Sequence, residues 1–131
     1  MYTAAKVLLL KGDIDLENDT IKVALIDVAD YTFSAAHDFW DDALAGAVGT
    51  PQALTSKTFT SGVFDAADAT IPTVSGDPCE ALILYKDTGD PATSPLIAYL
   101  DTGVTGLPVT PNGGNITVQW NGSGIFALTD V

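Results

Sequence analysis

The chain has 131 residues, 47% apolar and 17% charged, with 17 Asp and Glu against 5 basic side chains and a formal charge of −12. That length and apolar share suit one globular unit over residues 1–131, able to bury about two thirds of its unfolded surface without disulfides or a structural metal. Every basic residue is lysine, so counterion release from a phosphate backbone has few groups to work with, and nucleic-acid binding is not expected.

The first eleven residues read as a short helix. Ala4/Leu8 and Ala5/Leu9 are i,i+4 pairs, Lys11 suits the negative helix end, and Gly12 is placed to stop it. Its apolar run is Val7–Leu10. It falls far short of the roughly 20 residues of a membrane span, and is too short and too weakly flanked for a secretory signal. An acidic turn, Gly12 to Asp19, leads into a strand over Ile21–Ile26 with Ile21, Val23 and Leu25 on one face. Ser34 is positioned to cap a second short helix over about residues 35–45, with Ala36, Phe39, Trp40, Ala43 and Leu44 as its apolar positions and Gly46 as its stop.

Beyond that point the pattern turns to period two. Candidate strands are Lys57–Thr60, Val63–Asp65, Thr70–Val74, Glu80–Lys86, Leu96–Asp101, Ile116–Trp120 and Ile125–Thr129. Ala81–Tyr85 is continuously apolar, as in a central strand covered on both faces. Pro72 makes its own strand an edge strand or no strand at all. Turn clusters such as Ser75-Gly76-Asp77-Pro78 and Asn121-Gly122-Ser123-Gly124 separate the strands. The expectation is a mainly β fold: an antiparallel sandwich or small, jelly-roll-like barrel with one or two short helices near the N-terminus.

Few residues invite chemistry. An EF-hand loop begun at Asp13 has acidic residues at its first, third and fifth positions, then Asn18 in place of glycine and Ala24 in place of the bidentate Glu. Two readings stay open: a looser calcium site of Asp13, Asp15, Glu17 and Asp19, or a solvated turn with Ile14 and Leu16 tucked into the core. The single histidine, His37, stands beside Asp38, Asp41 and Asp42. On a helix, His37 and Asp41 would pair locally without any active site. No Gly-x-Ser-x-Gly elbow and no P-loop lysine is present, and nothing selects a facing carboxylate pair for glycoside hydrolysis. Phe39 and Trp40 read as core or interface anchors in preference to a sugar platform. Cys79 is the only cysteine, so no intrachain disulfide can form, and its setting between Asp77-Pro78 and an apolar run suits a small semi-buried residue. No catalytic, cofactor or metal residues are assigned, and the three Asn-x-Ser/Thr tripeptides at Asn18, Asn115 and Asn121 read as chance.

Four segments in order span almost the whole chain: Gly12–Glu17 running into Asp19–Leu25; His37–Asp42; Tyr85–Gly89 with Ser94–Ile97; and Ile116–Phe126. On these the sequence resembles a family of small virion structural proteins of tailed bacteriophages. The resemblance implies a non-enzymatic protein on the outer surface of the capsid. There it would be a decoration, or cement, subunit that binds the major capsid lattice as a homo-oligomer, with a trimer favoured. The alternatives are a tail, neck or fibre-base module that could bind glycans, and an enzyme acting on cell-wall glycans. A charge of −12 suits an outer shell better than a surface facing packaged DNA. The N-terminal segment Met1–Leu10 is the expected source of apolar contact with the particle.

Overall fold

Residues 1–130 are described by a computed structural model. The 3.6-residue pattern at the start of the chain forms α1 (Thr3–Lys11). The helix stops at Gly12, whose φ of +78° favours glycine. The Gly12 and Asp13 N–H groups donate to the Leu9 and Leu8 carbonyls at 3.2 and 2.8 Å, closing the last turn. Tyr2 precedes the helix in extended conformation, fully buried. It anchors α1 to the sheet through its own N–H, which donates to Ile97 O at 3.1 Å.

The chain as a whole is mainly β, 32% strand against 14% helix, and every ladder is antiparallel. The strands are β1 (Ile21–Ile26), β2 (Ala47–Ala53), β3 (Val63–Phe64), β4 (Ala69–Ile71), β5 (Ala81–Lys86), β6 (Leu96–Leu100), β7 (Ile116–Val118) and β8 (Phe126–Ala127). A four-stranded sheet runs β2-β1-β5-β6, and two ribbons pair β3 with β8 and β4 with β7. Residues 81–85 are all buried, so both faces of the central sheet are covered, as a continuous apolar strand requires. The core is one cluster, from Tyr2 and Ala5 through β1, β5 and β6 to Ile71, Val74, Val118 and Trp120. The arrangement is sandwich-like. No helix among the described residues is long and apolar enough to cross a membrane.

The second expected helix does not form. Between Ser34 and Gly46 the chain makes a turn and two short 3-10 turns, at Trp40–Asp42 and Leu44–Gly46. Ser34 Oγ accepts the Ala36 N–H at 3.3 Å within a local turn. Pairing with β6 overrides the helical spacing. Phe39 is extended (φ −124°, ψ 159°) and bridges Pro95. Trp40 N–H donates to Ser94 O at 2.8 Å, and Leu96 N–H to Asp38 O at 2.9 Å. The Trp40 ring stacks on Tyr85, with centroids 4.3 Å apart and planes 7° from parallel.

Other boundaries move as well. β2 lies where no strand is expected, because Gly49 and Pro51 interrupt its pattern, yet it pairs with β1 through a bulge between Val23 and Leu25. The expected strand over residues 57–60 shrinks to a single bridge, Thr58 to Asp65. Pro72 falls just beyond β4.

Candidate functional site

The acidic turn is stitched together by its own amides and by lysines. Asp15 Oδ1 accepts the Glu17 and Asn18 N–H groups at 3.1 Å each, and Asn18 Nδ2 donates to Asp15 Oδ2 at 2.7 Å. These bonds, the Asn18 side chain first, hold the Asp15 carboxyl below the usual carboxylate range. Asp19 Oδ2 accepts the Asp15 N–H at 2.8 Å and pairs with Lys86 Nζ at 3.1 Å. Lys86 also donates to Asp13 O at 3.0 Å, and Lys57 donates to Asp19 O at 2.9 Å. Ile14 is buried and Leu16 half-buried beneath the turn. The turn thus rests on an apolar footing, with its Asp15 and Asp19 carboxylates engaged by local amides and Lys86.

A different acidic set converges in space. Oxygens of Asp27, Asp30 and Asp77 lie within 4.8 Å of one another, and none of the three lysine–carboxylate pairs among the described residues involves them. Asp27 follows β1, where its carboxylate accepts the Ala29 N–H at 2.9 Å. Cys79, buried beside this set, donates weakly to Asp77 O at 3.5 Å. Burial, reinforced by the charges of Glu80, Asp27 and Asp77, pushes its thiol up to about 11. A thiol in that state is protonated at neutral pH and a poor nucleophile.

His37 belongs to an aromatic cluster. Without the second helix, the expected pairing of His37 with Asp41 gives way to a contact with Tyr31, whose Oη lies 2.8 Å from His37 Nδ1. Tyr31 Oη also lies 2.9 Å from Tyr2 Oη. The Tyr2 hydroxyl, fully buried, thus finds its partner in Tyr31, which links it to His37. Burial pushes both tyrosine hydroxyls up. Phe33 and Tyr99 stack alongside at 4.8 Å. The cluster ties the N-terminal residues to the segment after β1. Trp40, sandwiched on Tyr85, is a core anchor and offers no platform to solvent.

The feature that invites a partner is apolar. Ala5 is buried and Leu8 and Leu9 are half-buried, which turns Val7 and Leu10 outward at 51% and 88% exposure. At the C-terminal end of the helix Leu9, Ile14, Leu16 and Phe59, with Asp15 and Glu17, line a groove of about 450 Å³. The N-terminal segment was expected to supply apolar contact; Phe59 was not, because nothing local in the sequence links residue 59 to residues 9–16. Leu44, Phe33 and Leu128 are exposed on other segments. Comparison with protein-family models and with curated proteins finds no match to this chain.

Proposed function

We propose that the protein is a non-enzymatic structural subunit of a tailed-phage particle, a decoration protein on the outer capsid that binds the major capsid lattice, working as a homo-oligomer with a trimer favoured. One observation carries the reading: an acidic chain keeps Val7 and Leu10 of α1 largely in water, and the end of the same helix borders a mainly apolar groove rimmed by Asp15 and Glu17. Apolar side chains gathered on one exposed stretch are what a contact surface needs. The four sequence segments that resemble small virion proteins support the same reading. A net charge of −12 keeps free subunits apart before they dock. The affinity then resides in apolar burial, which salt weakens little, whereas charge pairing at an exposed rim is screened beyond about 8–10 Å.

The test is reconstitution. Purified protein mixed with capsids that lack it adds at fixed lattice positions, seen as ordered density by electron microscopy. Failure to add at saturating concentration, or addition to tail or neck instead, overturns the reading.

A further inference from the structure

After β6 the chain turns through residues 101–103, and after β7 it turns again through residues 121–124. The two turns meet around a pocket of about 450 Å³, within the range of small-molecule sites. Its inner wall is apolar: Leu100 and Val104 are half-buried and Trp120 is 8% exposed. Its rim is polar and exposed: Thr102, Asn121 and Ser123. We propose that this pocket binds a neutral carbohydrate, taking the C–H face of one sugar ring against the apolar wall of Leu100, Val104 and Ile125, with the edge of Trp120 behind it, and its hydroxyls on the rim. This site is separate from α1 and does not depend on how the protein attaches to a particle.

The wall and one rim donor are fixed before any ligand arrives. Trp120 Nε1 donates to Ala67 O at 3.0 Å, and the Trp120 backbone N–H to Asp68 Oδ1 at 3.1 Å. The indole therefore cannot swing freely. Asn121 Oδ1 accepts the Ser123 N–H at 2.9 Å. That local turn sets the amide plane and directs Nδ2 toward Gly103, where an added Cβ would lie 3.6 Å from it. With the amide oxygen engaged, the group facing the pocket is a donor. The Thr102 and Ser123 hydroxyls beside it can both give and accept. A rim of this kind suits sugar hydroxyls, which also do both.

Charge narrows the ligand class. No residue lining the pocket is charged, although the chain holds 17 acidic residues. An anion would find none of the five lysines there and would meet the field of a −12 protein. A cation would find no carboxylate in the lining. A wholly apolar ligand would strip water from the amide and the hydroxyls and leave them unpaired. A ring with C–H groups on one face and hydroxyls on its edge satisfies both wall and rim. With so few hydrogen bonds, a single ring should bind with a dissociation constant of order 1 mM, about −4 kcal/mol.

The full chain, labelled with ¹⁵N, is titrated with glucose, galactose, mannose and N-acetylglucosamine in turn, to about 50 mM, far enough to saturate a millimolar site. At least one sugar should give saturable shifts confined to the amides of Gly103, Asn121, Ser123 and Gly124 and to the Trp120 indole N–H. Asn121→Asp keeps the oxygen that holds the turn and removes the Nδ2 donor, so binding should weaken by about tenfold in a protein whose other signals are unmoved. Thr102→Ala, on the opposite turn, should weaken it too. No saturable shift with any of the four sugars, shifts that map elsewhere, or Asn121→Asp and Thr102→Ala proteins that both bind like wild type would each overturn the proposal.

Discussion

Replacing Val7 and Leu10 together by glutamine separates attachment from folding. Leu10 is 88% exposed and Val7 51%, so neither contributes much to the core of the free protein. Glutamine has a helix propensity close to that of leucine and above that of valine. The free double variant should therefore unfold within about 0.5 kcal/mol of wild type, as surface changes usually do. Bound to a lattice, the exposed fractions become the apolar area removed from water. Fully burying a Val or Leu side chain is worth about 1.5–3 kcal/mol, so Leu10 offers nearly that amount and Val7 about half. The double variant should lose about 2–4 kcal/mol of binding, a factor of roughly 30 to 1,000. The assay is occupancy on capsids lacking the protein, measured against concentration at low and high salt, with thermal unfolding of the free variant as the folding control. Wild-type occupancy by the variant, together with release of the wild-type protein by salt alone, would refute the argument and point to a charge-driven dock. Deleting residues 1–10 is a poorer test, because Tyr2 and Ala5 are fully buried and their loss would damage the fold itself.

Trp40→Ala should cost about 3–5 kcal/mol in urea unfolding, since it empties a buried site stacked on Tyr85; a loss below about 1 kcal/mol would refute the anchoring role. The Asp87 carboxyl is held below the usual range by its bond to Lys22, 2.8 Å away, and by the Gly89 N–H. Because its folded value is depressed, its contribution is present above the ordinary carboxylate pKa of about 3.9 and is lost as pH falls through the folded value. Asp87→Asn should therefore lower stability at neutral pH by about 0.5–1 kcal/mol and flatten its dependence below about pH 4; parallel pH profiles would contradict this. Cys79, buried and with its thiol pushed up to about 11, should resist disulfide reagents in the native state and react on unfolding. Rapid reaction of the native protein would show that the site opens.

The strands that were legible are those whose pattern and environment agree. Residues 81–85 are apolar throughout and buried throughout, and β1 shows its buried face at Ile21, Val23 and Leu25. The i,i+4 pairs that predicted α1 lie on its inward side, with Ala5 buried and Leu8 and Leu9 half-buried. Reading failed where tertiary pairing overruled local pattern. Residues 35–45 carry helical spacing, yet hydrogen bonds from Trp40 and to Asp38 tie that segment to β6. β2 was hidden because Gly49 and Pro51 make poor strand residues by propensity, while its ladder to β1 is set by the partner. The two sites were illegible for a simpler reason. The groove joins residues 9–16 to Phe59, and the pocket joins residues 100–104 to residues 120–125, so each exists only after folding.

The sheet edges bear on how such a protein can meet a partner. An open edge strand offers unpaired N–H and C=O groups to any extended chain. On the β6 side that offer is withdrawn, because Ser94 O and Ile97 O accept the Trp40 and Tyr2 N–H groups and the Leu96 N–H is held by Asp38 O. On the β2 side Pro51 supplies no N–H, and the bulge opposite Val23 and Leu25 breaks the regular ladder. Strand addition is therefore disfavoured at both margins of the four-stranded sheet. Contact with a lattice or with sister subunits must go through side chains, and an acidic surface rules out indiscriminate attraction between copies. On the proposed function, the side chains that would do so are Val7 and Leu10 of α1 and those of the groove at its end. A surface built this way should hold its partner through changes of salt that would release a charge-paired protein.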